Sequence, residues 1–128
     1  MLKWRNEFET GITHLDEQHK HLFEIGNRAY SLLDDKLDKF DEMAVLIEEL
    51  KNYTVYHFTT EEEYMKSINY RKFLSHKVAH DDFISKVKAV DLEAMDENQE
   101  EALRELIGFV FDWITEHILG RDMEYAAK

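Results

Sequence analysis

Four segments of this 128-residue chain repeat apolar residues every three or four positions, which is the spacing of one face of an α-helix. The sequence contains no proline, the residue type that breaks helices most strongly, and this favours long uninterrupted helices. The connections between the segments are short, which places neighbouring helices antiparallel. The sequence therefore predicts one all-α domain over residues 1–128, an antiparallel up-down-up-down four-helix bundle. The expected elements are an N-terminal arm over 1–13 and helices at about 14–37, 41–68, 70–90 and 96–119.

The start of the first helix carries a candidate cap. Thr13 is the expected N-cap, and Asp16 follows three residues later as a weaker form of the capping box. The arm before it contains Trp4 and Phe8 and is expected to pack along the outside of the bundle.

Composition excludes several kinds of site and partner. Without cysteine, the chain has neither disulfides nor thiolate metal ligands. A net charge of -12 argues against nucleic acid or an anionic membrane as a partner. No apolar run approaches the roughly 20 residues that span a bilayer, and the N-terminus lacks a signal-peptide core. We therefore expect a cytoplasmic protein.

Six ionisable side chains fall within the apolar stripes, where unpaired polar groups are costly. In an antiparallel bundle, the starts of the first and third helices share an end with the finishes of the second and fourth. The six side chains should therefore meet at one level of the core. Taken alone, His76 and His80 are better explained as ordinary core or surface histidines, and His57 with Glu61 as a helix-surface ion pair. The convergent set reverses this preference and favours a metal site. They are His19, His57, Glu61, His76, His80 and His117.

Asp122 is a seventh candidate ligand. It follows His117 by five residues and would miss the ligand face of a regular helix. Gly120 lies between them and readily ends or distorts a helix, which would bring Asp122 back under the site.

Four other ionisable residues near these candidates are expected at the surface. His21 is two residues past His19 and so faces away from it, and the glutamates that flank Glu61 have the wrong helical phase. The four are His14, His21, Glu62 and Glu63.

The donor set narrows the choice of metal. Five imidazoles and two carboxylates are too many for one zinc ion, which takes four ligands. The second residue of the His76–His80 segment is Lys77, not the glutamate of a zinc-protease helix. Calcium and magnesium sites do not use this much imidazole. No Glu-x-x-His motif of ferritin-like di-iron proteins occurs in the chain. Two first-row transition metals fit.

The residues around the candidates also resemble a known family. The segments "DEQHKHLF", "HFTTEEEYM", "HKVAHDDF" and "WITEHILGRD" look like the four ligand motifs of the hemerythrins, in particular the single-domain bacteriohemerythrins. The resemblance covers essentially the whole chain, including Trp4 and "GI" before "LDEQH". Two departures are Tyr70–Arg71, where the family commonly has Tyr-Pro, and His14, where it usually has another residue type.

The resemblance implies a non-haem di-iron centre with dioxygen as its ligand. One iron would have three imidazoles, the other two, and two carboxylates with an oxo or hydroxo group would bridge them. With six positions on each iron, the second keeps one position open for dioxygen. The implied ligands are His76, His80 and His117 for one iron, His19 and His57 for the other, and Glu61 and Asp122 as bridges.

Four apolar residues beside the ligands resemble the lining of the family's dioxygen pocket, although they would also be core residues in any bundle. They are Phe58, Trp113, Ile114 and Ile118.

Three functions are compatible with such a centre. The first is reversible dioxygen binding by a carrier, store or scavenger; the second is an oxygen or redox sensor that signals to another protein. The third is a slow enzyme that reduces peroxide or dioxygen, but no residue is placed as a general acid, so we expect no enzyme. The chain ends shortly after Asp122, from which we expect a standalone protein. Its partner is dioxygen, with an unidentified protein that accepts the oxygen or the signal.

Overall fold

A computed structural model describes residues 3–34 and 40–125 of the chain. The predicted all-α fold is confirmed, and the described residues contain no strand. Four long helices form the antiparallel bundle. A short additional helix, the fourth in chain order, lies in the connection before the last long helix. No helix in these two ranges is both long and apolar enough to cross a membrane. The five helices are α1 (Thr13–Ser31), α2 (Phe40–Ser67), α3 (Phe73–Lys88), α4 (Leu92–Asp96) and α5 (Gln99–Gly120).

The start of α1 is held by a different residue from the predicted cap. Thr13 is the first residue of the helix, the N-cap is Ile12, and Ile12 makes no side-chain cap bond. Instead, the Asp16 carboxylate accepts from the Thr10 backbone N at 2.9 Å and from the Thr10 hydroxyl at 2.8 Å. It also accepts from the backbone N of Gly11, whose φ of 86° suits glycine. The prediction of a Thr13 cap is therefore wrong, and Asp16 ties the arm to the helix.

The end of the first helix differs from the predicted boundary. The α-helix ends at Ser31 and is followed by a 3-10 turn over Leu32–Asp34. The predicted end at Leu37 lies outside the described residues.

The third helix begins three residues later than its predicted start at residue 70. Asn69 adopts a left-handed φ of 54° after the end of α2. The Tyr70 N–H bonds the Met65 carbonyl at 2.9 Å, and the Asn69 N–H bonds the Lys66 carbonyl at 3.1 Å. These two bonds are the Schellman pattern that ends a helix, and the turn that follows them delays α3 to Phe73.

The fourth predicted helix, at about 96–119, is preceded by a separate helix. The Asp91 carboxylate accepts from the backbone N of Glu93 at 3.0 Å and of Ala94 at 3.3 Å, which caps α4. Asn98 then breaks the helical conformation, with φ of -148°, before α5 begins.

The N-terminal arm does more than cover the outside of the bundle. Phe8 is fully buried, and its ring centroid lies 5.2 Å from that of Phe23 in an edge-on arrangement. The Trp4 ring also meets Phe23 at 5.2 Å. The arm therefore contributes Phe8 to the core.

The interior contains three clusters of buried apolar side chains at different heights. The end-cap cluster lies at the end where α1 begins: Ile12, Leu15, Met65 and Tyr125. The far-end cluster lies at the opposite end: Leu33, Met43, Ile47, Met95, Leu103 and Ile107. The central cluster lies between them: Phe8, Leu22, Phe23, Ile25, Leu50, Phe58, Phe83, Val87, Val110, Ile114 and Ile118.

Candidate metal centre

All seven predicted ligands meet in the core, between the end-cap and central clusters. None is more than 7 % exposed, although each carries an ionisable group. Such groups are buried together only when they are paired or hold a cation. They are His19, His57, Glu61, His76, His80, His117 and Asp122.

Each element brings its donors to this level by helical phase. His76 and His80 lie one turn apart on one face of α3, as do two donors of α2. The last turn of α5 supplies His117. The helix ends at Gly120, and Asp122 begins a 3-10 turn that directs its carboxylate back into the core.

Three imidazoles and two carboxylates form what we call the three-imidazole group. The Nε2 atom of His117 lies 2.9 Å from that of His76 and 3.0 Å from that of His80. Glu61 Oε1 lies 2.8 Å from His76 Nε2 and 3.3 Å from His80 Nε2. Asp122 Oδ1 lies 2.9 Å from His76 Nε2 and 3.1 Å from His117 Nε2. Five donor atoms therefore face one another across a single small volume.

These spacings suit donors arranged around one octahedral ion. Donors about 2.1 Å from an ion are about 3.0 Å apart at neighbouring octahedral corners and about 4.2 Å apart at opposite corners. A tetrahedral site would space them about 3.4 Å apart. Most pairs in the group lie near the first value, while His117 Nε2 and Glu61 Oε1, at 3.9 Å, approach the opposite-corner value.

The remaining imidazoles form the two-imidazole group. His57 Nε2 lies 2.9 Å from Glu61 Oε2, and His19 Nε2 lies 3.7 Å from the same oxygen. His19 Nε2 also lies 3.0 Å from Asp122 Oδ2. This second group has fewer donors than the first.

Both carboxylates are shared between the groups. Glu61 presents Oε1 to the three-imidazole group and Oε2 to the two-imidazole group. Asp122 divides its oxygens in the same way, with Oδ1 towards His76 and Oδ2 towards His19. All four oxygens are buried and lack a partner in hydrogen-bond geometry within residues 3–34 and 40–125. Buried carboxylate oxygens without a hydrogen bond are costly, and cations on both sides would satisfy them.

The electrostatics of the cluster show how strongly these groups act on one another. Burial lowers the pKa of His19 and His76, but the neighbouring carboxylates outweigh it and raise each pKa to about 9. Burial dominates at His57 and lowers its pKa. Burial alone would raise the pKa of Glu61 and Asp122, yet the surrounding imidazoles hold both well below the usual range. The carboxylates therefore keep their negative charge, which a bound cation would balance.

Comparisons with known proteins find similarity over nearly the whole chain. A family model described as the hemerythrin HHE cation binding domain matches residues 10–128. A bacteriohemerythrin of Clostridium acetobutylicum is 44 % identical over 98 % of this chain and 98 % of its own length. The chain belongs to the hemerythrin family. A myohemerythrin of Theromyzon tessulatum is 34 % identical over 98 % of this chain and 92 % of its own. A crystal structure of wild-type hemerythrin has a TM-score of 0.79 at 28 % identity, covering 98 % of this chain and 95 % of that one.

In this hemerythrin-family chain, two ligands have partners that sequence reasoning missed. His80 Nδ1 donates a hydrogen bond to Glu62 Oε2 at 2.9 Å, and the Glu62 side chain is only 17 % exposed. The expectation that Glu62 is solvated is therefore wrong. His57 Nδ1 bonds Gln18 Oε1 at 2.7 Å. When Nδ1 carries the proton, Nε2 presents its lone pair, so both bonds prepare their rings to bind a cation.

Two of the four predicted pocket residues stack on predicted ligands, and the other two belong to the central cluster. Phe58 stacks on His80 with centroids 3.9 Å apart and ring planes 1° from parallel. Trp113 stacks on His117 at 4.3 Å and 12°. These contacts fix the planes of two imidazoles and remove water from beside them. Three of the four belong to the buried central cluster and Trp113 packs against it; the set is Phe58, Trp113, Ile114 and Ile118.

Tyr125 is a further neighbour of the site that sequence reasoning missed. Its ring lies 5.7 Å from that of His76, and its buried hydroxyl has no hydrogen-bond partner among the described residues. Burial, with the negative charges of Asp122 and Glu61, raises the pKa of its hydroxyl strongly. Tyr125 therefore remains a neutral phenol that covers the outer side of the centre.

The other histidines lie outside the centre, as expected. His14 is exposed, and its ring lies 6.3 Å from that of Tyr64. The side chain of His21 is 39 % exposed and lies against Tyr53. Glu63 is exposed, as its helical phase predicts.

Proposed function

We propose that this chain binds dioxygen reversibly at a centre of two iron ions. His76, His80 and His117 would hold one iron, His19 and His57 the other, and Glu61 with Asp122 would bridge both. The observation that carries the proposal is the division of the carboxylate oxygens, one to each group, between three imidazoles on one side and two on the other. That division leaves the two-imidazole ion with fewer protein donors and hence with room for an exogenous ligand.

The comparisons support the choice of ligand. The relatives named above carry the names bacteriohemerythrin, myohemerythrin and hemerythrin, and they match nearly the full length of this chain. Hemerythrins as a family are dioxygen-binding proteins with two irons. Two ferrous ions supply the electron pair that reversible dioxygen binding requires.

The protein's own residues would control water and protons around that ligand. Phe58, Ile114 and Ile118 are each at most 3 % exposed, so the side of the site facing the central cluster is apolar. We propose that these residues and Trp113 line the dioxygen position and slow irreversible oxidation by excluding water. The role we propose is that of a carrier, store or scavenger rather than an enzyme. A reducing cytoplasm would keep the iron in its ferrous form.

The test loads the metal-free protein with ferrous iron without air and counts the metal bound. We expect two irons per chain. The visible spectrum should gain an absorption band when air is admitted and lose it when oxygen is removed, over repeated cycles. Fewer than two irons, or loss of reversibility in the first cycle, would contradict the proposal.

A pair of histidine variants supplies the matched control. His57→Ala removes a donor of the two-imidazole group, whereas His14→Ala removes an exposed histidine of the same helical bundle. We expect His57→Ala to abolish reversible binding and His14→Ala to keep it. Equal behaviour of the two variants would show that the ligand assignment is wrong.

A further inference from the structure

The two groups of donors differ in the partners behind their imidazoles. Behind the three-imidazole group, His80 of α3 donates its Nδ1–H to the carboxylate of Glu62 on α2. Behind the two-imidazole group, His57 of α2 bonds the amide oxygen of Gln18 on α1. Both bonds cross between helices and both have ordinary hydrogen-bond lengths, but one partner carries a charge and the other is neutral.

This difference changes how well each ring binds a cation. When Nε2 donates its lone pair to a metal, positive charge develops on the ring. A carboxylate at Nδ1 stabilises that charge more than an amide does, so it makes the imidazole the stronger ligand. His80 is fully buried, which weakens solvent screening of its bond to Glu62.

Other features of the two groups also predict stronger cation binding at the three-imidazole group. The three-imidazole group assembles five donor residues, whereas the smaller group has only His19 and His57 with the two shared carboxylates, Glu61 and Asp122. Within the smaller group, the Nδ1 atom of His19 is buried and has no hydrogen-bond partner in the described part of the chain. Therefore neither imidazole of the two-imidazole group has a carboxylate bonded to its Nδ1 atom in the described part of the chain.

We propose that Glu62 and Gln18 are positioning residues that set unequal affinities at the two metal positions. The first divalent cation occupies the three-imidazole group, and the second binds more weakly at the two-imidazole group. This inference rests on the proposed function, since it takes both groups to be metal positions. The metal position with room for an exogenous ligand is then the one that loses its ion first.

The test is a titration of the metal-free, full-length chain with Co²⁺ under nitrogen. The visible absorption of Co²⁺ reports the ligand set of each position, and calorimetry gives the affinities, so the readout does not depend on dioxygen. We expect two separable steps in the wild-type protein.

Two nearly isosteric substitutions should change the metal affinities in opposite directions. Glu62→Gln should weaken the first step by roughly 10- to 100-fold and leave the second nearly unchanged. Gln18→Glu should strengthen the second step by a similar factor, because it places a carboxylate behind His57. The double exchange keeps the net charge and should narrow the gap between the steps more than either single exchange.

Control variants separate this role from general charge effects. Glu63 and Asn52 are exposed residues of α2, so Glu63→Gln and Asn52→Asp change the net charge in the same two directions. Both controls should keep the two affinities within about twofold of the wild type. Thermal unfolding of every metal-free variant checks that the fold is retained.

The outcomes distinguish this inference from the function on which it rests. If the wild-type chain binds no Co²⁺, the metal centre itself is wrong. If it binds two ions with equal affinity, or if Glu62→Gln and Gln18→Glu behave like their controls, only the inference fails. Equal weakening of both steps by Glu62→Gln would assign Glu62 a purely structural role and would also overturn the inference.

Discussion

The two ends of the bundle bury opposite kinds of side chain. The far-end cluster contains six apolar residues, among them Met43 and Leu103, which are at most 1 % exposed. The ligand end buries a centre of imidazoles and carboxylates whose oxygens accept no hydrogen bond from the residues that the structure describes. The far end is stabilised by packing that needs nothing from solution, whereas the carboxylates of the ligand end require positive charge, from a bound cation or from protonated imidazoles. The bundle thus separates an apolar region that packs the helices together from the region that we propose binds the metal.

Removal of the metal should have the largest effect, because it acts only on the ligand end. At a free cation concentration about 1,000 times Kd, binding stabilises the folded state by about 4 kcal/mol. Chelation should therefore lower the free energy of unfolding by at least that amount, as measured by urea denaturation with and without metal. Hydrogen exchange should rise around His19 and His117, while the far end stays protected. An unchanged unfolding midpoint would show that the ligand end is already satisfied without a cation.

A cavity created at the far end should lower the stability of the fold and leave metal binding unchanged. Leu103→Ala removes a buried side chain and should cost about 2 to 5 kcal/mol, equally in the metal-free and metal-loaded protein. Its metal affinities should match those of the wild type. Val45→Ala, at a position that is 64 % exposed, is the control and should change little. A loss of metal affinity in Leu103→Ala would mean that the two ends are coupled.

A pair of glycines tests the packing of α1 on α5 between these ends. A Cβ at Gly26 would lie 2.2 Å from Cε1 of Phe111, whereas a Cβ at Gly108 would meet no heavy atom within 4 Å. Gly26→Ala should therefore destabilise the protein by about 1 to 3 kcal/mol, because the Phe111 ring must move. Gly108→Ala should stabilise it by about 0.5 to 1 kcal/mol through helix propensity. Thermal unfolding of both variants measures the difference, and equal shifts would mean that Phe111 adjusts freely.

The positions of the candidate ligands could be predicted because helical phase alone determines which side chains meet. His57 and Glu61, like His76 and His80, lie one turn apart on the buried face of a single helix. The antiparallel bundle then places these faces at one level. No detail of side-chain packing was needed.

The partners behind the ligands could not be found in the same way. Gln18 precedes His19 by one residue, and Glu62 follows Glu61 by one residue. Their helical phase therefore predicts that both side chains point away from the ligand face. They reach a histidine on the next helix, and that contact depends on how the helices pack. Helical phase therefore predicts the same exposed position for Glu62 and Glu63. The contact with α3 is what distinguishes Glu62.

Helix ends were the least predictable part of the fold. Thr13 has the residue type of a cap, but the Asp16 carboxylate is bound by the arm before the helix. Asn69 ends α2 by adopting a left-handed conformation that its residue type permits but does not require. Local hydrogen bonds determine where these helices begin and end, and the spacing of apolar residues does not predict those bonds.

The last effect we expect is a pH dependence confined to the ligand end of the metal-free protein. The carboxylates raise the pKa of His19 and His76 to about 9 against the lowering effect of burial. A histidine whose folded-state pKa exceeds its unfolded value of 6.5 contributes stability that is complete below pH 6.5 and is lost as the pH rises through about 9. The lowered pKa of His57 acts in the opposite sense and removes stability as the pH falls below 6.5, which limits the net gain on the acid side.

The melting temperature of the metal-free protein should therefore fall between pH 6.5 and 9.5. The loaded protein should not show this loss, because metal binding requires deprotonated imidazoles and strengthens as protons leave. His76→Gln should flatten the metal-free profile, since it removes one of the histidines whose pKa is raised by the carboxylates. Leu103→Ala should lower the whole profile without changing its slope, because the far end supplies packing and not charge. A metal-free profile that stays level to pH 9.5 would show that the imidazoles do not hold protons between the carboxylates.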